Sequence, residues 1–441
     1  MEAVTDRPRI IRTLEDYFGI VAQGSSLQTE VLAGLSTFLA LSYIFVVNPA
    51  ILAQAGMNKS SVLFATIVTS GVATLIMGLW ARLPFVLAPG MEMNAYVAFF
   101  VVGTLGFTWQ QALGAVFWSG VLFVVLTATR VREKIIDAIP ERMKTGLSLS
   151  VGVFLALVAF KIAGLLRYEG VRVKGLGDFG TREAIACYTC VAVVLILDKL
   201  HVRGAVMIAI LVTSALCRIL GIGSSSEKAA EISAAMFAGI GHLAPGVILD
   251  PKVLSVILIL FLVDFYGSVA KLIGLTMNTN IAVRGRLPRM REALLIDSIG
   301  TTAGSVLGTS SITVYVESGV GIGAGGRTGL TAVVCGVLML ACFGLAPFLH
   351  YVPLVATTGA LVFVAINLCP PLREIRSFAR VDLFAMAIMQ VLVIATFAID
   401  RAMLAGFAVY TVVSLLGRRR LNPYMIASMA LLAVGAWLQA R

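Results

Sequence analysis

A chain of 441 residues that is 59% hydrophobic and 13% charged, with a mean hydropathy of +0.97, is far too apolar to contain a water-soluble domain of any size. Its formal charge of +11 invites a polyanionic partner, but the basic residues sit in short connections between apolar runs, and that placement removes nucleic acid from consideration. One integral, multi-pass domain covering 1–441 in the cell membrane remains, with the lipid bilayer as its surroundings.

The N-terminal stretch MEAVTDRPRIIRTLEDYFGI is charged and partly amphipathic. It lacks the basic start, short apolar run and small-residue cleavage site of a signal peptide, so it reads as an uncleaved cytoplasmic lead-in. Apolar segments then follow near 29–54, 61–81, 84–105, 109–129, 143–165, 183–198, 204–221, 253–275, 292–307, 311–323, 328–346, 350–369, 381–399 and 402–416. A last apolar run at 424–439 either spans the bilayer or lies along it. With the N-terminus in the cytoplasm, alternate connections collect Lys and Arg, as at Arg130, Arg132 and Lys134 and again at Arg284, Arg286, Arg289 and Arg291. The other side holds far fewer, which is the positive-inside bias.

Two segments do not read as ordinary spanning helices. In LPFVLAPGMEMNAYVAFFVV the pair Pro89-Gly90 interrupts the apolar run, since proline removes a backbone donor and glycine costs backbone entropy. An extended piece and then a half-helix from Met91 are predicted. In GSVLGTSSITVYVESGVGIGAGGRTG a β-branched patch leads to Glu317 and a glycine-dense exit, again predicting a short strand and half a helix. These are the third and tenth segments, seven apart, the expected trace of a seven-plus-seven inverted repeat. Unwound backbone is tolerated inside a bilayer only where protein or an aqueous cavity covers it, so both breaks face inward and define a midplane site for a small polar solute.

The six cysteines lie mostly in apolar runs with no histidines at metal spacing, and the Cys187-x-x-Cys190 pair sits in REAIACYTCVAVVLIL, where it reads as packing. No metal or other cofactor is expected. The glycines of GIGAGGRTG lack the Lys-Ser/Thr ending of a nucleotide-binding loop, so neither an ATP-driven pump nor an enzyme is indicated.

The stretches TEVLAGLSTFLALSYIFVVNPAIL, LAPGMEMNAYVAFF, LVDFYGSVAKLIG and LGTSSITVYVESGVGIGAGGRTGLTAVV, in this order along essentially the whole chain, resemble the AzgA-like purine permeases of the nucleobase cation symporter family. The resemblance implies an all-α polytopic fold of about fourteen segments with core and gate domains. The core would hold 29–129 and 253–346, and the gate 143–221 and 350–441. It implies a secondary-active permease that brings a purine inward with a proton through an elevator-like motion of core against gate. A homodimer is compatible with this reading. The alternative is a carrier or channel for another small polar or anionic metabolite on the same fold, without proton coupling.

By the same resemblance Glu317 binds substrate; a carboxylate beside a broken backbone can accept hydrogen bonds from ring N–H groups, or it can simply satisfy free amides at the helix start. Gly319, Gly321 and Ser318 would shape the pocket floor, and Thr313 and Ser311 would offer hydroxyls or act as plain strand residues. Met91 and Glu92 open the other half-helix, where Pro89, Gly90 and Asn94 match the usual APGMGLNA pattern and Asn94 reads as a brace. Phe265 or Tyr266 could stack on a planar base or merely pack.

Two departures from the family pattern stand out. Where the eighth segment usually reads VDxFDTxGT, this chain has VDFYGSVAK, so the second aspartate is Gly267 and the last threonine is Lys271. In the third segment Glu92 replaces a glycine. Asp264 and Lys271 are seven apart, two turns along one helix face. An unpaired charge near the bilayer centre costs roughly 2.5–3.5 kcal/mol even on the lenient scale, so Lys271 is expected to pair with Glu92 or Asp264. A carboxylate held beside a fixed ammonium keeps its charge and carries protons poorly. Lys161, near the end of the fifth segment, is expected to reach the interface.

Overall fold

The positions at which the helices break govern the architecture. The computed structural model describes residues 9–129, 141–169, 172–202, 204–222, 235–249, 251–276, 281, 287–345, 352–370, 375, 377–397, 399–416, 426, 429–430 and 433. The lead-in forms an amphipathic helix, α1 (Arg9–Phe18), whose Tyr17 hydroxyl donates to the Leu79 carbonyl at 2.8 Å.

The first repeat runs α2 (Leu27–Leu41), α3 (Ile44–Ala53), α4 (Lys59–Ile76, extended as a π-helix to Ala81), β1 (Leu87–Pro89), α5 (Met91–Ala95, extended to Val102) and α6 (Trp109–Ala128). It continues through α7 (Glu141–Ile162), a hairpin of β2 (Leu166–Glu169) and β3 (Arg172–Leu176), α8 (Arg182–Lys199) and α9 (Ala205–Ile219). The second repeat runs α10 (Pro251–Thr276), α11 (Met290–Leu307), β4 (Ile312–Val314), α12 (Ser318–Gly323), α13 (Gly329–Ala341), α14 (Thr358–Asn367), α15 (Arg380–Thr396) and α16 (Ile399–Leu416).

Helix starts are marked by side chains that accept otherwise unpaired amides. Ser26 accepts from Thr29, Asn58 from Ser60 and Ser61, and Thr108 with Gln111 forms a full capping box.

The two breaks meet. Strand β1 pairs antiparallel with β4, Leu87 opposite Val314, Ala88 opposite Thr313 and Pro89 opposite Ile312. All six residues are buried, so each strand's polar backbone is covered by the other. A threonine one helix back holds each strand in the same way. The Thr74 hydroxyl accepts from Leu87 N at 3.0 Å and donates to Leu87 O at 3.2 Å. The Thr301 hydroxyl accepts from Ile312 N at 3.1 Å and donates to Ile312 O at 3.0 Å. Equivalent hydroxyls gripping equivalent strand residues, in segments seven apart, are the signature of the 7+7 inverted repeat, and the chain is an all-α polytopic membrane protein of that fold.

Segment positions agree with the sequence reading to within a few residues, and four features go beyond or depart from it. The first segment is interrupted at Ser42–Tyr43 rather than continuous. The connection after α7 carries the β2–β3 hairpin. Lys161 does not simply reach outward: its ammonium lies 5.3 Å from the Phe99 ring centre and 4.9 Å from that of Phe397. The run at 424–439 falls, apart from isolated positions, outside the described residues.

Close helix contact depends on missing side chains. Where α4 crosses α13, a Cβ at Gly78 would stand 2.5 Å from the Gly329 carbonyl, and one at Gly329 only 2.1 Å from the Gly78 carbonyl. The obstacle is backbone on both sides and cannot turn away. Gly329→Ala is therefore expected to destabilise the protein by about 1–3 kcal/mol, the usual range for overpacking. Thermal unfolding in detergent measures it, and an unchanged midpoint would show that the crossing is looser than this.

Candidate functional site

The functional side chains gather where β1, β4, α10 and the break in the first segment meet. Between the strands the backbone ladder is extended by Gly90 N to Ser311 O at 2.9 Å and Tyr315 N to Val86 O at 3.0 Å. Side chains complete the junction. The Tyr315 hydroxyl donates to Pro89 O at 2.6 Å, and the Ser318 hydroxyl accepts from Val86 N at 3.0 Å. The Ser310 hydroxyl donates to Asn94 Oδ1, while Asn94 N bonds Gly90 O at 2.9 Å, so Asn94 braces the broken segment. Ser318 is equally a tie between the two breaks.

Glu317 stands just ahead of α12, 8% exposed. Its Oε1 accepts from the Tyr43 hydroxyl at 2.5 Å, whereas its Oε2 is buried and has no hydrogen-bond partner among the described residues. A buried carboxylate oxygen without a donor is costly. An N–H group brought by a ligand would relieve that cost. Tyr43 is itself fully buried at the interruption of the first segment, so the irregular step at Ser42–Tyr43 positions the phenol that orients Glu317.

The ammonium of Lys271 lies 2.6 Å from Glu92 Oε1, with side-chain exposures of 13% and 12%, and 3.5 Å from Thr313 Oγ1. Asp264 is held differently. Its carboxylate accepts from the Ser311 hydroxyl and, at 3.5 Å, from the Ser268 hydroxyl. Ser268 and Thr313 share a further hydrogen bond of 2.9 Å. The strand hydroxyls of Ser311 and Thr313 therefore serve the charges of α10. Lys271 reaches Thr313 in β4, four residues before Glu317, so the ion pair and the open carboxylate oxygen belong to the same strand-to-half-helix junction.

The remaining candidates separate into open space and packing. A Cβ at Gly267 would meet none of the described residues within 4 Å, so among them the position that has lost its side chain borders open space. At Gly319 a Cβ would come to 3.1 Å from Leu275, and at Gly321 to 2.1 Å from the Thr37 hydroxyl, so Gly321 serves the contact of α12 with α2. Met91 is 2% exposed at the start of its half-helix. Phe265 is fully buried, with its ring 5.4 Å from that of Phe261 and 5.9 Å, edge-on, from that of Phe123. Those neighbours give it the packing role, and the side chain of Tyr266 lies outside the described residues.

Sequence reasoning did not join Tyr43 to Glu317, which are 274 positions apart. Nor did it find Asn48, fully buried in α3, whose amide donates to Thr66 at 2.7 Å and Thr309 at 3.0 Å and so ties the first segment to the approach to β4. The signal was present in SYIFVVNPAIL, where polar Ser, Tyr and Asn punctuate an apolar run ahead of a proline.

Comparison with known proteins bears on the family and the fold. The profile named Xan_ur_permease, described as a permease family, matches residues 28–397. A putative permease of Methanocaldococcus jannaschii is 35% identical over 404 residues, covering 91% of this chain and 93% of the relative. The adenine permease AdeP of Escherichia coli is 34% identical over 416 residues, 94% of this chain and 93% of its own. The guanine/hypoxanthine permease PbuO of Bacillus subtilis is 34% identical over 362 residues, 79% of this chain and 82% of its own. Among solved structures, the transmembrane domain of a cyanobacterium bicarbonate transporter, BicA, superposes with a TM-score of 0.63 at 14% identity, covering 86% of this chain and 97% of that one. That last likeness is one of fold.

Proposed function

Because the chain belongs to the permease family described by the Xan_ur_permease profile, and within it is of the AzgA-like nucleobase type, we propose that it carries a purine nucleobase or a related planar heterocycle across the cell membrane. The observation that carries this reading is the unpartnered, buried Oε2 of Glu317 at the junction of the two broken segments. It is an acceptor waiting for a ring N–H, and the relatives named for adenine and for guanine/hypoxanthine supply the class of ring.

In this proposal residues 29–129 and 253–346 form a core that moves, elevator-like, against a gate of 143–221 and 350–441, with the N-terminus cytoplasmic. The grip of each repeat's threonine on its own strand supports moving β1 and β4 as a unit. Inward transport is coupled to a proton, as the resemblance implies, although position 267 carries no carboxylate to take it.

Uptake of labelled hypoxanthine, guanine and adenine into vesicles, with and without an imposed inward proton gradient, tests both parts. Gradient-stimulated accumulation of at least one purine is expected. Purine uptake indifferent to the gradient would remove the coupling and leave the substrate class. A second reading is favoured by one observation, the buried ammonium of Lys271: a carrier for a small anion on the same fold. Flux of anions with no purine uptake in the same vesicles would select it.

A further inference from the structure

Three features around the strand pair are arranged for a ligand with a particular edge. First, an ammonium has three N–H donors, and among the described residues Lys271 engages Glu92 at 2.6 Å and, at a long 3.5 Å, Thr313. At least one donor is left over. Second, Glu317 Oε2 is an acceptor with no donor among the described residues. Third, Gly267 lies one helical turn before Lys271 on the same face and opens onto free space where a side chain would otherwise stand.

The substitutions invert the polarity of one side of the site. In the pattern this chain resembles, position 267 offers a carboxylate, a second acceptor; this chain offers a glycine there and an ammonium at 271. Two acceptors suit a ligand that presents two donors. One acceptor beside one donor suits a ligand edge on which N–H and C=O are neighbours.

We propose, resting on the purine reading above, that Lys271 is a ligand-contacting residue that selects the lactam edge of a 6-oxopurine over the amidine edge of adenine. N1–H of the oxopurine donates to Glu317 Oε2, while O6 accepts from the ammonium of Lys271. Glu92 holds that ammonium in place, and the space at Gly267 admits the ring. In the same pose adenine turns an amino group toward the ammonium and a ring lone pair toward the carboxylate, so that both contacts become repulsive. A charge-assisted hydrogen bond replaced by a donor facing a donor is the kind of mismatch that discriminates strongly.

The test is equilibrium binding of hypoxanthine, unsubstituted purine and adenine to the purified full-length protein, wild type and Lys271→Met/Glu92→Gln. In wild type, hypoxanthine is expected to bind at least about tenfold tighter than adenine, with unsubstituted purine, which has no group at C6, between them. In the double variant the preference is expected to shrink by at least about threefold from its wild-type value, since Glu317 alone then distinguishes N1–H from a ring lone pair. Adenine binding as tightly as hypoxanthine in wild type overturns the inference and leaves the purine reading standing. Full preference kept by a folded double variant also overturns it. Binding of none of the three overturns the inference and the purine reading together. The wild-type series decides the matter even where the double variant fails to fold.

Discussion

Replacing Glu317 with Gln is expected to reduce purine uptake by at least about 100-fold, roughly 2.8 kcal/mol at 1.4 kcal/mol per decade. The reason is directional. Tyr43 donates to Oε1 at 2.5 Å and so claims one oxygen of the carboxylate, leaving Oε2 for the ligand. In the amide one of these two atoms becomes a donor. If the nitrogen faces Tyr43 the phenol loses its acceptor, and if it faces the ligand a ring N–H meets another N–H. Neither arrangement keeps both charge-assisted bonds, and losing a hydrogen bond to a charged group costs about 1.5–3 kcal/mol before any unpaired atom is counted. Initial uptake rates in vesicles, alongside the melting midpoint of the purified variant, separate loss of the site from loss of the fold. A folded variant with wild-type uptake would remove Glu317 from substrate recognition.

The second large effect is one of stability. Lys271→Met is expected to destabilise the protein by about 3–5 kcal/mol, because breaking a buried ion pair leaves its other member uncompensated. That member is Glu92, 12% exposed, on a half-helix inside the molecule. Adding Glu92→Gln should recover all but about 1 kcal/mol, since replacing both partners removes the stranded charge. Thermal unfolding of the wild type, both single variants and the double variant closes the cycle, and a single variant as stable as wild type would show that the pair contributes nothing.

What was legible in the sequence was what local chemistry dictates. Pro89-Gly90 cannot continue a helix, and the β-branched run Ile312-Thr313-Val314 favours a strand, so both breaks could be placed to within a few residues. Their separation by seven segments was enough to expect a repeat. The charges at 92, 264 and 271 announced themselves by standing in apolar surroundings. Partner choice was not legible. That Lys271 meets Glu92 rather than Asp264 depends on the strand register, which brings Thr313, the neighbour of the ammonium, opposite Ala88 in the strand that leads to Glu92. Likewise the phenol of Tyr43 reaches Glu317 only because the first segment is interrupted at Ser42, a position without proline or glycine to mark it. Phe265 and Lys161 illustrate the converse: an aromatic ring and a cation in a membrane helix have many possible neighbours, and only tertiary packing names Phe123 for one and Phe99 for the other.

The strand pair also imposes an order on biogenesis. Four backbone groups of residues 86–90, namely Gly90 N, Val86 O, Val86 N and Pro89 O, are answered from 311–318. Thr74 can look after Leu87 as soon as the first helices are in the bilayer, but the other four groups wait while more than half of the chain is synthesised. Until β4 is inserted, the first repeat is a membrane segment with polar backbone exposed at its middle, the condition a hydrocarbon interior tolerates least. A nascent chain released before residue 312 therefore lacks the cover its own third segment requires, and quality control during insertion has a defined defect to recognise.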